Sequence, residues 1–262
     1  MLRIKTIMIR TVGSLFVFTA LAFSIYRMLR WMEVERLLNP NYILTQIIQT
    51  GPVKEALPTV LLAELIDLSV DHPTNYYALD EKKAEAKLLN CPVIARASVK
   101  KIKPNTVYID YELRRPVALY ADFENMAIDE QRRLFPLIPY FTPKQLPEIV
   151  LGEHRFHEMV TGEKIELAFQ VLEMLVLAKI QEHAIIKRID VSKAFSASYG
   201  KREIVVVLEQ KSERHYLRLT QKSLASGVAN YLSLIEGLDP VSTTRVIDLR
   251  IEKLAYIEDI AF

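Results

Sequence analysis

The feature that most limits the fold is a pair of alternating segments on either side of a proline-containing turn. Val93, Ala95, Ala97 and Val99 alternate with Ile94, Arg96, Ser98 and Lys100, the period of two that sets one face of a half-buried strand against a core. Lys103-Pro104-Asn105-Thr106 supplies turn chemistry. Val107, Ile109, Tyr111 and Leu113 then alternate with Tyr108, Asp110, Glu112 and Arg114. Two such segments so joined predict a β-hairpin. Upstream, Tyr42 to Thr50 reads as a strand closed by Gly51-Pro52, and a helix follows within Lys54 to Leu68, with Pro58 at its boundary. Asp80 is placed to cap a second helix, Glu81 to Leu89, which Cys91-Pro92 stops. The order β-α-α-β-β is a small α+β domain of about 75 residues, near the smallest size that folds alone.

Ahead of it, Thr11 to Tyr26 carries no charge, with Arg3, Lys5 and Arg10 before it and Arg27 and Arg30 after it. Sixteen helical residues rise about 24 Å, and an extension to Ile7 and Met28 rises about 33 Å against a hydrocarbon core of about 30 Å. Tyr26 and Trp31, the sole tryptophan, fall at the outer boundary, where amphipathic rings favour the headgroup layer. The expectation is a transmembrane and juxtamembrane helix over 11–38, running to a stop at Asn39-Pro40, with 1–10 as a cytoplasmic tail. The short basic flank suits an N-in, C-out insertion. A cleaved signal peptide ending at Ala20-Leu21-Ala22 is the rival reading.

After the hairpin, Pro136, Pro139, Pro143 and Pro147 mark a linker or irregular edge. An amphipathic helix follows from about Glu163 to Ile180, with Ile165, Ala168, Phe169, Leu172, Leu175 and Val176 as its stripe. Strands are expected at Ile185–Val191, Ile204–Leu208 and His215–Leu219. Thr220 then caps a helix with the stripe Leu224, Val228, Tyr231, Leu232 and Ile235, and Val246–Ile251 and Leu254–Ile257 follow as extended apolar segments. Half of the chain is apolar, enough to bury a core, and the net charge of +2 argues against a dedicated nucleic-acid binder. The single Cys91 excludes an internal disulfide and a cysteine-based zinc cluster. None of the seven glycines has the spacing of a nucleotide-cradling loop.

Each candidate for chemistry is weak. His154 and His157 lack a third metal ligand in their neighbourhood and read as a solvated loop. Ser98-Val99-Lys100-Lys101 has the S-x-x-K spacing but sits on a strand pattern without its companion motifs. Asp190, Glu203 and Glu209 read as solvated strand faces. Cys91 reads as a structural thiol, and Lys100, Lys101 and Lys103 lack the interleaved aromatics of a nucleic-acid surface. No catalytic residue, metal site, cofactor or small-molecule substrate is expected.

Asn90 to Thr106 (NCPVIARASVKKIKPNT) and Val107 to Ala118 (VYIDYELRRPVA) together resemble the FtsQ/DivIB family of bacterial cell-division proteins. So do Ile128-Asp129-Glu130 with Leu134-Phe135, Leu146-Pro147-Glu148 with Gly152, and Ile247-Asp248-Leu249-Arg250 with Ala255. The chain departs from the family pattern at Gln131, where a turn glycine is usual, and at Val93, Ile251 and Leu254. The resemblance implies an α+β fold: an N-terminal transmembrane helix, a POTRA-type β-α-α-β-β domain over 41–120, then a mixed β-sheet domain with two helices over 121–262. It further implies a single-pass inner-membrane protein with its bulk periplasmic at the septum, acting as a non-enzymatic scaffold. Its terminal strands would pair with FtsB- and FtsL-like partners by β-augmentation. By position Arg250, Ile251, Glu252, Lys253, Leu254, Ala255 and Tyr256 form that surface, although Ile251, Leu254 and Ala255 also suit a buried strand. Alternatives are a POTRA protein of outer-membrane assembly or polypeptide transport, and an anchored cell-envelope hydrolase.

Overall fold

The computed structural model describes residues 2–210, 213–235, 237 and 244–260, with side chains from residue 18 onward. The chain forms two compact units, Met1–Leu113 and Arg114–Phe262.

The first unit opens with helix α1, Leu2–Leu38. The membrane-spanning helix expected at 11–38 is corrected here, because among the described residues no helix is long and apolar enough to cross a membrane. From Phe18, nine residues precede Arg27, and Arg30, Glu33, Glu35 and Arg36 follow. Nine residues rise about 14 Å, under half of the thickness a hydrocarbon core demands. The remainder of the expected span, 11–17, and its extension back to Ile7 lie outside the residues whose side chains are described. Ala20-Leu21-Ala22 lies within the continuous helix. At the end of α1, the Asn75 side-chain amide donates to the Arg36 and Leu37 carbonyls at 3.1 and 2.9 Å, meeting acceptors that a helix terminus leaves open.

Strand β1 (Gln46–Thr50), helices α2 (Thr59–Leu65) and α3 (Glu81–Leu89), and strands β2 (Ile94–Ile102) and β3 (Thr106–Leu113) follow in that order. They make a three-stranded sheet, β1-β3-β2, in which β3 runs parallel to β1 and antiparallel to β2. Val107, Ile109 and Tyr111 of the central strand are buried with Leu62, Ile66 and Leu88, as the period of two requires. The Tyr111 hydroxyl accepts from the Leu57 N–H at 2.7 Å, and its ring lies so near Gly51 that a Cβ there would meet Cζ at 2.5 Å. Asp80 caps α3 by accepting from the Lys82 and Lys83 N–H groups.

The second unit is built on a nine-stranded mixed sheet. Its strands are β4 (Ala118–Tyr120), β5 (Met126–Ile128), β6 (Leu134–Pro136), β7 (Glu148–Val150), β8 (Ile185–Asp190), β9 (Ile204–Gln210), β10 (Glu213–Leu219), β11 (Thr244–Asp248) and β12 (Tyr256–Ile260). Their spatial order is β12-β11-β10-β9-β8-β7-β4-β5-β6. Helices α4 (Glu163–Leu177) and α5 (Leu224–Ile235) bury Ile165, Leu175, Val228 and Tyr231 in one cluster with Ile189, Val206, Leu217 and Ile247 of the sheet. Residues 118–120 thus belong to the second sheet rather than to the first unit. The proline-rich segment lies inside the second unit: Asn125 exchanges hydrogen bonds with the Ile138 backbone, and Phe141 packs against Phe135. Where the turn glycine is missing, the left-handed residue is Arg132 (φ 64°) rather than Gln131.

Candidate partner-binding edge

Among the described residues, the sheet of the second unit ends at β12, which pairs with β11 alone, antiparallel, from Thr244–Ile260 to Asp248–Tyr256. An edge strand presents alternate N–H and C=O groups to whatever lies beside it. Tyr256, Ile257, Glu258 and Asp259 are all exposed, so β12 presents side chains to solvent on both faces. Direct pairs share a face, which puts Ile257 on the core side in a row with Ile247, Leu217 and Val206. Tyr256 falls on the other side with Asp248, Arg218 and Val205. Arg245, buried on the core side, donates from Nε to Asp259 Oδ1 at 2.7 Å and ties β12 to its neighbour.

Of the seven residues expected to form the partner surface, only Tyr256 lies in β12. Arg250, Ile251, Glu252, Lys253, Leu254 and Ala255 form the connection from β11, with Lys253 in the left-handed region at φ 61°. Ile251 (67%) and Leu254 (59%) project into solvent rather than filling a buried strand, while Ala255 packs partly against the core. Arg250 grips both oxygens of Asp248 and donates to the Gly200 carbonyl. Arg218 joins the same network, reaching Glu203 at 2.6 Å and Asp248 at 3.2 Å. Burial by itself raises the Glu203 carboxyl, but hydrogen bonds and charge from Arg218 and Lys193 outweigh it and hold it below the ordinary range. Asp248 behaves alike, burial being outweighed by Arg250 and Arg218. The β11–β12 connection is therefore braced by fixed charges at its root, and at its tip exposed Ile251 and Leu254 flank Glu252 and Lys253. The sequence placed Ile257 in the extended segment Leu254–Ile257 but assigned neither it nor Glu258, Asp259 and Ile260 to the partner surface.

Elsewhere the residues weighed for chemistry do not converge. Glu203 and Glu209 flank opposite ends of β9, roughly 20 Å apart along a strand, and Lys187 holds Glu209 at 2.6 Å. His154 and His157 line an open hollow of about 520 Å³ with Glu153, Arg155 and Met159. Among the described residues, no group of three or more His, Cys, Asp or Glu could hold a metal ion. Cys91 is buried, and burial pushes its thiol up, away from the reactive thiolate. Ser98 sits in mid-strand opposite Asp110. A polar cluster missed by the sequence reading lies under β10: His215, buried, meets the Tyr231 hydroxyl at 2.9 Å through Nδ1 and Glu213 at 3.2 Å through Nε2. Burial, then the Glu213 charge, push the Tyr231 hydroxyl up, as befits a structural hydrogen bond in a core.

No protein-family model matches the chain. No curated protein matches it either.

Proposed function

We propose that this protein is a non-enzymatic scaffold of the bacterial cell-division machinery, of the FtsQ/DivIB kind, that holds FtsB- and FtsL-like partners through the open rim of β12. The single observation that carries the reading is that β12 closes the sheet with one neighbour and exposes both faces. A partner segment in extended form completes the ladder there, and backbone hydrogen bonds supply its affinity. Specificity comes from the flanking side chains, Tyr256 and Glu258 on one face, Ile257 and Asp259 on the other, with Ile251, Lys253 and Leu254 at the end. Support also comes from the first unit, whose β-α-α-β-β order and β1-β3-β2 sheet suit a POTRA-type module.

The test is calorimetric titration of the protein with a synthetic FtsB-like segment. Ile257→Pro, which removes an outward N–H of β12 and stiffens the strand, and Lys253→Glu should each weaken binding at least tenfold. Wild-type affinity in both variants, with their folds intact by circular dichroism, would remove β12 as the partner surface.

A further inference from the structure

The sheet of the first unit treats its two edges differently. On the β2 side, Glu85 Oε1 accepts from the Val99 N–H at 3.0 Å and Glu81 Oε1 from the Lys101 N–H at 2.7 Å. Those residues are two apart on β2, and the glutamates are four apart on α3, so one helix face closes successive outward donors of the strand. Among the described residues, no side-chain oxygen of this kind closes the β1 side from Gln46 to Thr50 in the hydrogen bonds of the sheet. The chain beside it makes one bridge, Ile43 to Asn75, with the Leu44 N–H donating to the Thr74 carbonyl at 2.9 Å. Among the described residues, β3 is the only strand partner of β1 from Gln46 to Thr50.

Beside this open stretch lies a cavity of about 320 Å³, lined by Ile47 and Gln46 of β1, Ala63 of α2, and Leu68, Val70 and Thr74 of the following segment. Its lining carries no charged residue. That volume is at the low end for small-molecule sites and suits one or two apolar side chains. Next in the chain to Ala63, Leu68 and Val70 stand Glu64, Asp67 and Asp71, all exposed. Lys87 pairs with Asp67, and no ion pair engages Glu64 or Asp71 among the described residues. On the opposite face of the sheet, Ile48 is half exposed beside Tyr108.

We propose that β1 is a second docking edge, which takes an extended, basic segment of a partner polypeptide. Unpaired strand groups next to an apolar hole select a polypeptide. The backbone of the segment continues the sheet along Gln46–Thr50, and one apolar side chain enters the cavity over Ala63. The next side chain, on the other face, covers Ile48, and a flanking lysine or arginine meets Glu64 and Asp71. This edge belongs to the first unit and is independent of the assignment of β12.

The probe is a blocked, fluorescein-labelled heptapeptide of alternating valine and threonine between terminal lysines, added to the full chain. Binding is followed by anisotropy and located by amide hydrogen exchange. Exchange should slow at 46–50 on addition of the peptide. Affinity should fall at least tenfold when alternate peptide amides are N-methylated, and several-fold at low salt when the terminal lysines become glutamates. Ala63→Phe, which fills the cavity, should weaken binding at least tenfold. Protection that appears only at 256–260, or not at all, overturns the proposal. So does protection at 46–50 that grows with protein concentration without peptide, since the occupant is then a second copy. Should Ala63→Phe fail to fold, the methylated peptide and the exchange map decide alone.

Discussion

The turn at 129–133 concentrates a measurable share of the second unit's stability in one carboxylate. Asp129 Oδ2 accepts from Arg114 at 2.9 Å, with only 9% and 11% of the two side chains exposed. Its Oδ1 accepts from the Gln131 and Arg133 N–H groups at 2.9 and 2.8 Å. Asp129→Ala removes all three acceptor contacts and leaves a buried guanidinium short of its carboxylate, a change that costs about 3–5 kcal/mol in comparable buried pairs. The freed N–H groups of Gln131 and Arg133, in part-buried bonds, add to that cost. Asp129→Asn keeps an acceptor for the turn and loses only the charge, for about 2 kcal/mol. Arg114→Met leaves the carboxylate with its two backbone donors and substitutes an apolar stem, so it should cost less than Asp129→Ala. For a unit of this size each kcal/mol lowers Tm by roughly 2–4 °C, so Asp129→Ala should melt about 6–20 °C lower. Scanning calorimetry of the full chain measures this directly, with the second unit's transition as the readout. A shift of under about 2 °C for Asp129→Ala, or a larger one for Arg114→Met, would refute the assignment of the turn to this carboxylate.

Arg132 sits at φ 64°, where a non-glycine residue costs about 1 kcal/mol, and its ion pair with Glu166 is largely exposed. Arg132→Gly should therefore raise stability by roughly 0.5–1 kcal/mol in urea titration, and a loss of stability would count against the strained turn. Glu203 and Asp248 are both held below their ordinary values of 4.5 and 3.8. The unfolded chain thus binds more protons near those values, and stability present above them is lost as acidification carries the carboxyls through their lowered folded values. The double variant Glu203→Gln, Asp248→Asn should flatten the fall in Tm between about pH 5 and pH 3, and an unchanged slope would show that the network does not titrate with folding. A methyl on Gly227 would run into Leu219, itself fully buried, so Gly227→Ala should cost about 1–3 kcal/mol by overpacking, against a gain if the helix simply preferred alanine. Removing both glutamates of α3 with Glu81→Ala and Glu85→Ala uncovers the β2 rim, and sedimentation velocity should then show concentration-dependent self-association. A monomer at all concentrations would mean that the seal is dispensable.

Local pattern carried the hairpin, α3 and α5 into view, because each rests on contacts between residues near in sequence. Asp80 reaches two and three residues ahead, and Thr220 and Ser223 cap each other just before α5. Period and turn chemistry are legible in such segments without a partner. The sheet order was not legible. β11 joins β10 in parallel across α5, β7 joins β8 across α4, and β4 joins β7 across the β5–β6 hairpin and the proline-rich segment. None of these pairings has a signature in either strand. The resemblance placed the partner surface by position at 250–256, and of those residues only Tyr256 lies in the edge strand Tyr256–Ile260.

From its residues alone this chain determined two period-two strands about a proline turn and the amphipathic helices. These follow from spacing and from what each side chain can bond within a few positions. Only the tertiary structure decided which strands end the two sheets, that glutamates of α3 close β2 while β1 stays open, and that Arg132 takes the turn's left-handed conformation. Free edges and sealed ones differ in what lies beside them, and that is set by residues far away in the chain.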